Sequence, residues 1–379
     1  MKKIIAVIMA LCVATLLISC RANDDQVIRI GAIFPLSGPV AFYGTESRDG
    51  GILAVEEINA AGGLLGKQLV LLIEDDEGRP ELTINAFTRL TSRERVGFIF
   101  GSSTSGATMA ISNLAQSAGV LLISPSATNP QVTLAGNFVF RACFIDPFQG
   151  VVGADFAFAD MNLRRAAILF DAGADYNTGL ADAFRTRFTE LGGIIVADEA
   201  YQTGDVDFNA QVTRIRATNP DVVYLPNYYN DVALQAIQLR DQGVNAVLLG
   251  GDGWDGLIDN AGDEVIGGLW SSAFASDTTE PRGRAFVEAF QRRFNRQASQ
   301  FAALGYDAIM MLADAIRTAD SSDAAAVRDA LARTNGYYVT GHIRFDANRN
   351  PIKSAAILEI ARRDGRLANV YRTTVNPRY

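Results

Sequence analysis

Short apolar, β-branched runs alternate with stretches of helical spacing along almost the whole of this 379-residue chain, and that alternation restricts the fold more than any other feature. Val27–Phe34 and the runs 68–74, 96–100, 120–124, 165–170, 194–199, 221–225 and 246–249 read as strands. Between them, 49–61, 81–91, 107–118, 178–191, 208–217 and 231–242 carry apolar residues at helical intervals. Continuous apolar strands separated by helices of this length build parallel sheets covered on both faces. The expected fold class is therefore α/β, with doubly wound parallel sheets.

The alternation runs through two similar sets, one before about residue 145 and one after it. A chain of this length exceeds what one hydrophobic core usually serves, so two lobes are expected. Beyond Pro281 the pattern turns mainly helical (283–294, 301–318, 323–333) and closes on strand-like 343–345, 354–361 and 370–373. A late block belonging to neither set implies that the chain returns to the first lobe and crosses between lobes more than once, which makes a hinge.

At the start, Lys2 and Lys3 precede the apolar stretch 4–18, which ends in Leu17-Ile18-Ser19-Cys20. A charged opening, an apolar region of about 7–15 residues and a small residue before the cut describe a signal peptide. The Leu-x-Ser-Cys ending resembles the bacterial lipobox, so 1–19 is expected to be removed and Cys20 lipidated, with 20–26 as a polar tether. Of three cysteines, Cys12 falls in the removed segment and Cys20 is acylated, which leaves Cys143 unpaired as a small buried hydrophobe. Loss of Lys2 and Lys3 takes the net charge from −8 to −10. An acidic chain without basic runs argues against nucleic-acid binding and against docking on anionic lipid, so membrane contact is expected through the lipid alone.

Ligands of open α/β sheets bind at the carboxyl ends of strands, where loops lead into helices. Four such turns stand out: "PLSGPVAFYG" (35–44), "GSSTSGAT" (101–108), "PSATNP" (125–130) and "GGDGWDG" (250–256). The second places hydroxyls, Ser105 among them, where a helix begins, and free N–H groups with the positive end of a helix dipole make an anion site. The third offers Ser126 and Thr128. Any one of these hydroxyls alone reads as a helix cap; their convergence at one sheet edge argues for a ligand. Tyr43, Tyr176 and Tyr228-Tyr229 fall near the same turns.

Gly251, Gly253 and Gly256 have the spacing of a dinucleotide-binding turn. Asp252 and Asp255 within it would repel a phosphate, and the following segment is too broken by glycine for a long crossover helix. A carboxylate presented by glycines suits a cation, above all an ammonium. An anion site on one lobe and a carboxylate on the other describe the backbone of a zwitterionic amino acid.

The turns quoted above, with "FRACFIDPFQG" (140–150), "DAGADY" (171–176) and "GDVDFNAQVTRI" (204–215), occur in an order that resembles the type I periplasmic solute-binding proteins of ABC importers, and more narrowly the leucine/isoleucine/valine-binding group. The resemblance implies two lobes, 27–145 with 276–354 and 146–275 with 355–379, joined by a three-strand hinge and closing on ligand like a trap. It places the ligand carboxylate at Ser105 and Thr128, the ammonium at the Ser126 backbone and Asp252, and Ala127 within the binding turn. Tyr43, Tyr176, Tyr228 and Phe301 would surround the ligand. Asp252 stands where the family often has the longer glutamate, Gly78 and Thr104 stand where the leucine/isoleucine/valine-binding protein has a disulfide, and Trp254 either narrows the pocket or simply packs.

The function implied is an exported lipoprotein, periplasmic or at the cell surface, that captures an amino acid, branched-chain or aliphatic, and hands it to permease and ATPase subunits as a monomer. The alternative is a receptor component sensing a small amide, amino acid or related solute. Neither a cofactor nor a metal is expected. Catalysis is not expected either: His342 is the sole histidine, no nucleophile triad or metal-spaced cluster is apparent, and 346–351 lacks the glycine and glutamate of a calcium loop.

Overall fold

The computed structural model describes residues 26–376; the expected signal segment, Cys20 and most of its tether lie outside the described residues. Strand β1 (Val27–Phe34) leads into α1 (Ala41–Ala60), β2 (Gln68–Asp75), α2 (Pro80–Ser92), β3 (Phe98–Gly101), α3 (Ser105–Ala118), β4 (Leu121–Ser124), the short α4 (Gln131–Leu134) and β5 (Val139–Arg141). These strands form an all-parallel sheet in the order β2-β1-β3-β4-β5. β3 and β4 are buried throughout, as apolar runs without alternation require of strands covered on both faces.

A second set follows: α5 (Asp146–Asp155), β6 (Arg165–Asp171), α6 (Asp175–Glu190), β7 (Ile194–Tyr201), α7 (Asn209–Thr218), β8 (Val222–Leu225), α8 (Tyr229–Asp241), β9 (Val247–Gly250) and β10 (Leu269–Ser272). Strands β7-β6-β8-β9-β10 are parallel and repeat the order of the first sheet. The chain then returns as α9 (Pro281–Phe294), α10 (Gln300–Ala319) and α11 (Ala324–Leu331), with α10 packed along α1. After the hairpin β11 (Asn335–Tyr338) and β12 (Gly341–Arg344) it crosses again, and β13 (Ala355–Arg363) and β14 (Arg366–Val375) join the second sheet antiparallel at its edge. The chain thus passes between the sheets after β5, after β10 and after β12.

The structure begins α1 at Ala41, eight residues before the helical pattern becomes legible, because Gly44 and the polar run 45–49 carry no apolar repeat; Gly50 and Gly51 follow. Those glycines are there for proximity. A Cβ on Gly50 would stand 1.9 Å from the Ala302 carbonyl oxygen, and one on Gly305 2.1 Å from that of Ser47. The two helices therefore touch backbone to backbone, which only residues without a side chain permit.

Candidate functional site

Each parallel sheet changes winding direction once, between β1 and β3 in the first and between β6 and β8 in the second. Such switch points open a crevice at the carboxyl ends of the strands. One small void is lined from both sides: by Tyr43, Ser103, Thr104, Ser105, Ser126 and Thr128 from the turns after β1, β3 and β4 and the helix starts that follow them, by Tyr176, Tyr228, Asp252 and Gly253 from the corresponding places after β6, β8 and β9, and by Phe301 of α10. The cavity volume is about 10 Å³, room for about one water, so the two walls nearly meet.

The first wall is a set of hydroxyls. Ser126 Oγ donates to the Ser103 carbonyl at 2.8 Å, Ser124 Oγ to the Ser102 carbonyl at 2.7 Å, and Ser105 Oγ accepts from Asn129 N–H at 3.2 Å, so the turns after β3 and β4 brace one another. Thr104 is the residue preceding α3, yet its side chain makes no capping bond. Thr104 Oγ1 and Thr128 Oγ1 are buried and have no hydrogen-bond partner of normal geometry among the described residues, although Thr128 stands close enough to the Asp146 carboxyl to favour its ionised form. Buried hydroxyls rarely stay unpaired, and beside the start of α3, with its free N–H groups and positive dipole end, they form donors for an anion.

Asp252 supplies the opposite charge. It is buried, at 3% exposure, and burial pushes its carboxyl up to about 6, with hydrogen bonds from Gln149 and Tyr176 opposing the shift. Tyr176 Oη donates to Asp252 Oδ1 at 3.0 Å, while Gln149 Oε1 receives the Asp252 N–H at 2.9 Å and the Ser271 hydroxyl at 3.0 Å. Near neutral pH the group is an ionised carboxylate in a site of low polarity, where a cation gains most.

Aromatic rings close the remaining sides. Tyr176 and Tyr228 stack at 5.1 Å with 5° between their planes, and Tyr43 packs against Phe301 at 4.4 Å and Tyr228 at 5.5 Å. Bonds then run from one side of the crevice to the other: Tyr43 Oη donates to the Gly253 carbonyl at 2.5 Å, Tyr229 Oη to that of Pro39 at 2.8 Å, and Asn129 Nδ2 to that of Asp175 at 3.0 Å.

Of the residues expected from sequence, Tyr43, Ser105, Ser126, Thr128, Tyr176, Tyr228, Asp252 and Phe301 line this void, and Ala127 does not. Ala127 is turned into the core, its N–H donating to Ser124 Oγ at 3.0 Å and its carbonyl taken by Arg141 at 2.6 Å. Trp254 packs: it is fully buried, and its Nε1 donates to the Leu225 carbonyl at 2.9 Å. The glycines flanking Asp252 act by close approach, whereas Gly256 makes a left-handed turn at φ 100°. Gly251 has an extended backbone, and a Cβ there would meet Gln149 Oε1 at 2.8 Å and Tyr176 Oη at 2.9 Å.

Ser103, Thr104 and Gly253 also line the void, though none of them was expected at the ligand; the first two sit inside the hydroxyl-rich 101–108 turn. Gln149, Asp146 and Arg141, all buried, support it from behind; their only trace in the sequence is polar residues where a chain crossing would otherwise be apolar. Burial pushes Asp146 up to about 8. Cys143 is free and buried, and burial pushes its thiol up to about 12, which leaves it an inert packing residue. His342 lies exposed on β12, Nε2 2.8 Å from Asn335 Oδ1. Among the described residues no cluster of His, Cys, Asp and Glu could hold a metal, and no helix is long and apolar enough to cross a membrane.

A profile described as periplasmic binding protein matches residues 27–366. The chain is 37% identical over 322 residues to the Leu/Ile/Val-binding protein BraC3 of Rhizobium johnstonii, covering 84% of this chain and 86% of that one. Among solved structures it is similar to a leucine binding protein, LivK, of Thermotoga maritima, with a TM-score of 0.87, 32% identity and coverage of 92% and 99%. It is similar also to LivJ of Streptococcus pneumoniae, a branched-chain amino acid transporter substrate binding protein in complex with isoleucine, with a TM-score of 0.84, 33% identity and coverage of 92% and 100%.

Proposed function

The chain belongs to the periplasmic binding protein family, and from that premise we propose that it is the binding component of an ABC importer, capturing an amino acid with an aliphatic side chain and delivering it to permease and ATPase subunits. The observation that carries this reading is the placement of two buried hydroxyls without a well-formed hydrogen bond, Thr104 Oγ1 and Thr128 Oγ1, in the same small void as the buried Asp252 carboxyl. An α-carboxylate takes the hydroxyls and the start of α3, an α-ammonium takes Asp252, and the Tyr43, Tyr228 and Phe301 rings take the side chain. Charge-assisted hydrogen bonds contribute about 1.5–3 kcal/mol each, so a few of them with an apolar contact reach micromolar affinity, about −8 kcal/mol.

On this reading residues 27–145 with 276–354, and 146–275 with 355–379, are lobes that swing about the three crossings, and the bonds Tyr43–Gly253, Tyr229–Pro39 and Asn129–Asp175 belong to the closed state. Cys20 is the lipidated anchor that keeps the exported protein at a membrane.

A thermal-shift screen of the twenty amino acids, followed by calorimetry, tests the proposal. Ligand at 100 times its Kd stabilises the folded state by about 2.7 kcal/mol, so one or more aliphatic amino acids should raise the melting temperature by several degrees. No shift with any amino acid would refute the reading.

A further inference from the structure

Arg141 is the last residue of β5 and pairs in register with Ser124 at the end of β4, immediately before the 125–130 turn. It is completely buried. One arm of its guanidinium donates to the Ala127 carbonyl at 2.6 Å, and the other donates to the Asn129 carbonyl at 2.8 Å and reaches the Pro130 carbonyl and Thr133 Oγ1 at 3.5 and 3.4 Å. Its Nε has no partner. No carboxylate pairs with it among the described residues; Asp146 and Asp346 act on it only at longer range.

That is an expensive arrangement for a merely structural residue, since a buried charge without a counter-charge carries a desolvation cost that backbone carbonyls offset only in part. Its geometry has a directional effect. In a trans peptide the N–H points opposite to the C=O, so a guanidinium gripping the Ala127 carbonyl aims the Thr128 N–H away from itself. The Thr128 carbonyl is taken in turn by Asp146 N–H at 3.1 Å. The carbonyls of 127, 128 and 129 are thus all tied back. A rigid two-armed donor does this in a way a single ammonium cannot.

We propose that Arg141 is the positioning residue of the carboxylate subsite: without touching the ligand, it ties the Ala127 and Asn129 carbonyls back from the void and lends the subsite the positive charge that no side chain lining it possesses. The inference rests on the amino-acid reading of the site. It predicts that Arg141 governs selectivity for the ligand's carboxylate, beyond any part it has in stability.

The test compares L-leucine with L-leucinamide, which keeps the side chain and ammonium but has a neutral carboxamide. In calorimetry, Arg141→Met should lower the ratio of leucine to leucinamide affinity at least about tenfold relative to the unmodified protein, with leucinamide affinity changing much less. Arg141→Lys, which keeps the charge but not the two-armed geometry, should recover part of the ratio, and it carries the comparison if the methionine variant does not fold. Equal losses for both probes, or an unchanged ratio in the variant that folds, overturn the inference while leaving the functional reading intact. If the unmodified protein binds no amino acid, both fail together.

Discussion

The Tyr176 hydroxyl donates to Asp252 Oδ1 at 3.0 Å and accepts the Gly253 N–H at the same distance, so a single oxygen fixes both the acid and the turn that carries it. The bond also favours the ionised carboxylate against the burial that opposes it. Removing the ring oxygen therefore acts on both position and charge.

Asp252→Ala should cost about 2–5 kcal/mol of binding to the preferred amino acid, because the ligand ammonium is left buried and unpaired. Tyr176→Phe should cost less, about 1.5–3 kcal/mol, the value of a hydrogen bond to a charged group. Calorimetry reads both; an Asp252→Ala protein of unchanged affinity would remove the acid from the site.

Affinity should fall in acid with a defined sign. Asp252 is pushed up to about 6 without a cation beside it, and an ammonium prefers the ionised form, so binding below that pH must expel a proton. Below pH 6, Kd should rise toward a limit of about tenfold per pH unit, one proton per ligand. Titrations between pH 5 and 7.5, in buffers of differing ionisation heat, show the release directly. A Kd independent of pH over this range would contradict the assignment.

Tyr229 lies outside the void but donates across the crevice to the Pro39 carbonyl at 2.8 Å. Tyr229→Phe should weaken binding by about 0.5–1.5 kcal/mol, mainly through faster dissociation, and by the same factor for every ligand, because only the closed state loses a bond. A change in the order of ligand preference measured by stopped-flow fluorescence would show that Tyr229 acts on the ligand instead.

Asp146 joins the 125–130 turn to the chain crossing after β5, its N–H donating to the Thr128 carbonyl, and burial pushes it up to about 8 against about 3.9 for an unfolded aspartate. The folded protein therefore holds more protons than the unfolded chain between those values. Its contribution to stability is complete below about pH 4 and is lost progressively as pH rises to about 8. Asp146→Asn cannot titrate, so the drop in melting temperature from pH 5 to pH 8 should shrink by the share of one proton, as calorimetric scans would show. An undiminished drop would mean that Asp146 is ionised in the folded state.

Much of this was legible in the sequence, because strands buried on both faces must be apolar throughout and the turns at their carboxyl ends are then free to be polar. The hydroxyls of Ser105, Ser126 and Thr128 and the acid Asp252 stand out for that reason, and all four reach the void. Pairing of β13 and β14 at the edge of the second sheet could not be read in the same way, since an antiparallel edge strand has no signature distinct from any other short apolar run.

The sequence by itself determined the α/β class, the two repeated sets and the chemistry at the strand ends, since each follows from periodicity and residue type over short distances. Only the tertiary structure decided which way each of those groups faces. Ala127 and Thr128 are neighbours in one turn, yet one is buried in the core and the other meets the void, because Arg141, fourteen residues from Ala127 along the chain, holds the carbonyl between them. The glycines about Asp252 likewise make room for Gln149 and Tyr176, side chains from other elements that no local pattern could have revealed. Local preference sets what a segment can be; the packing of distant segments sets what it presents.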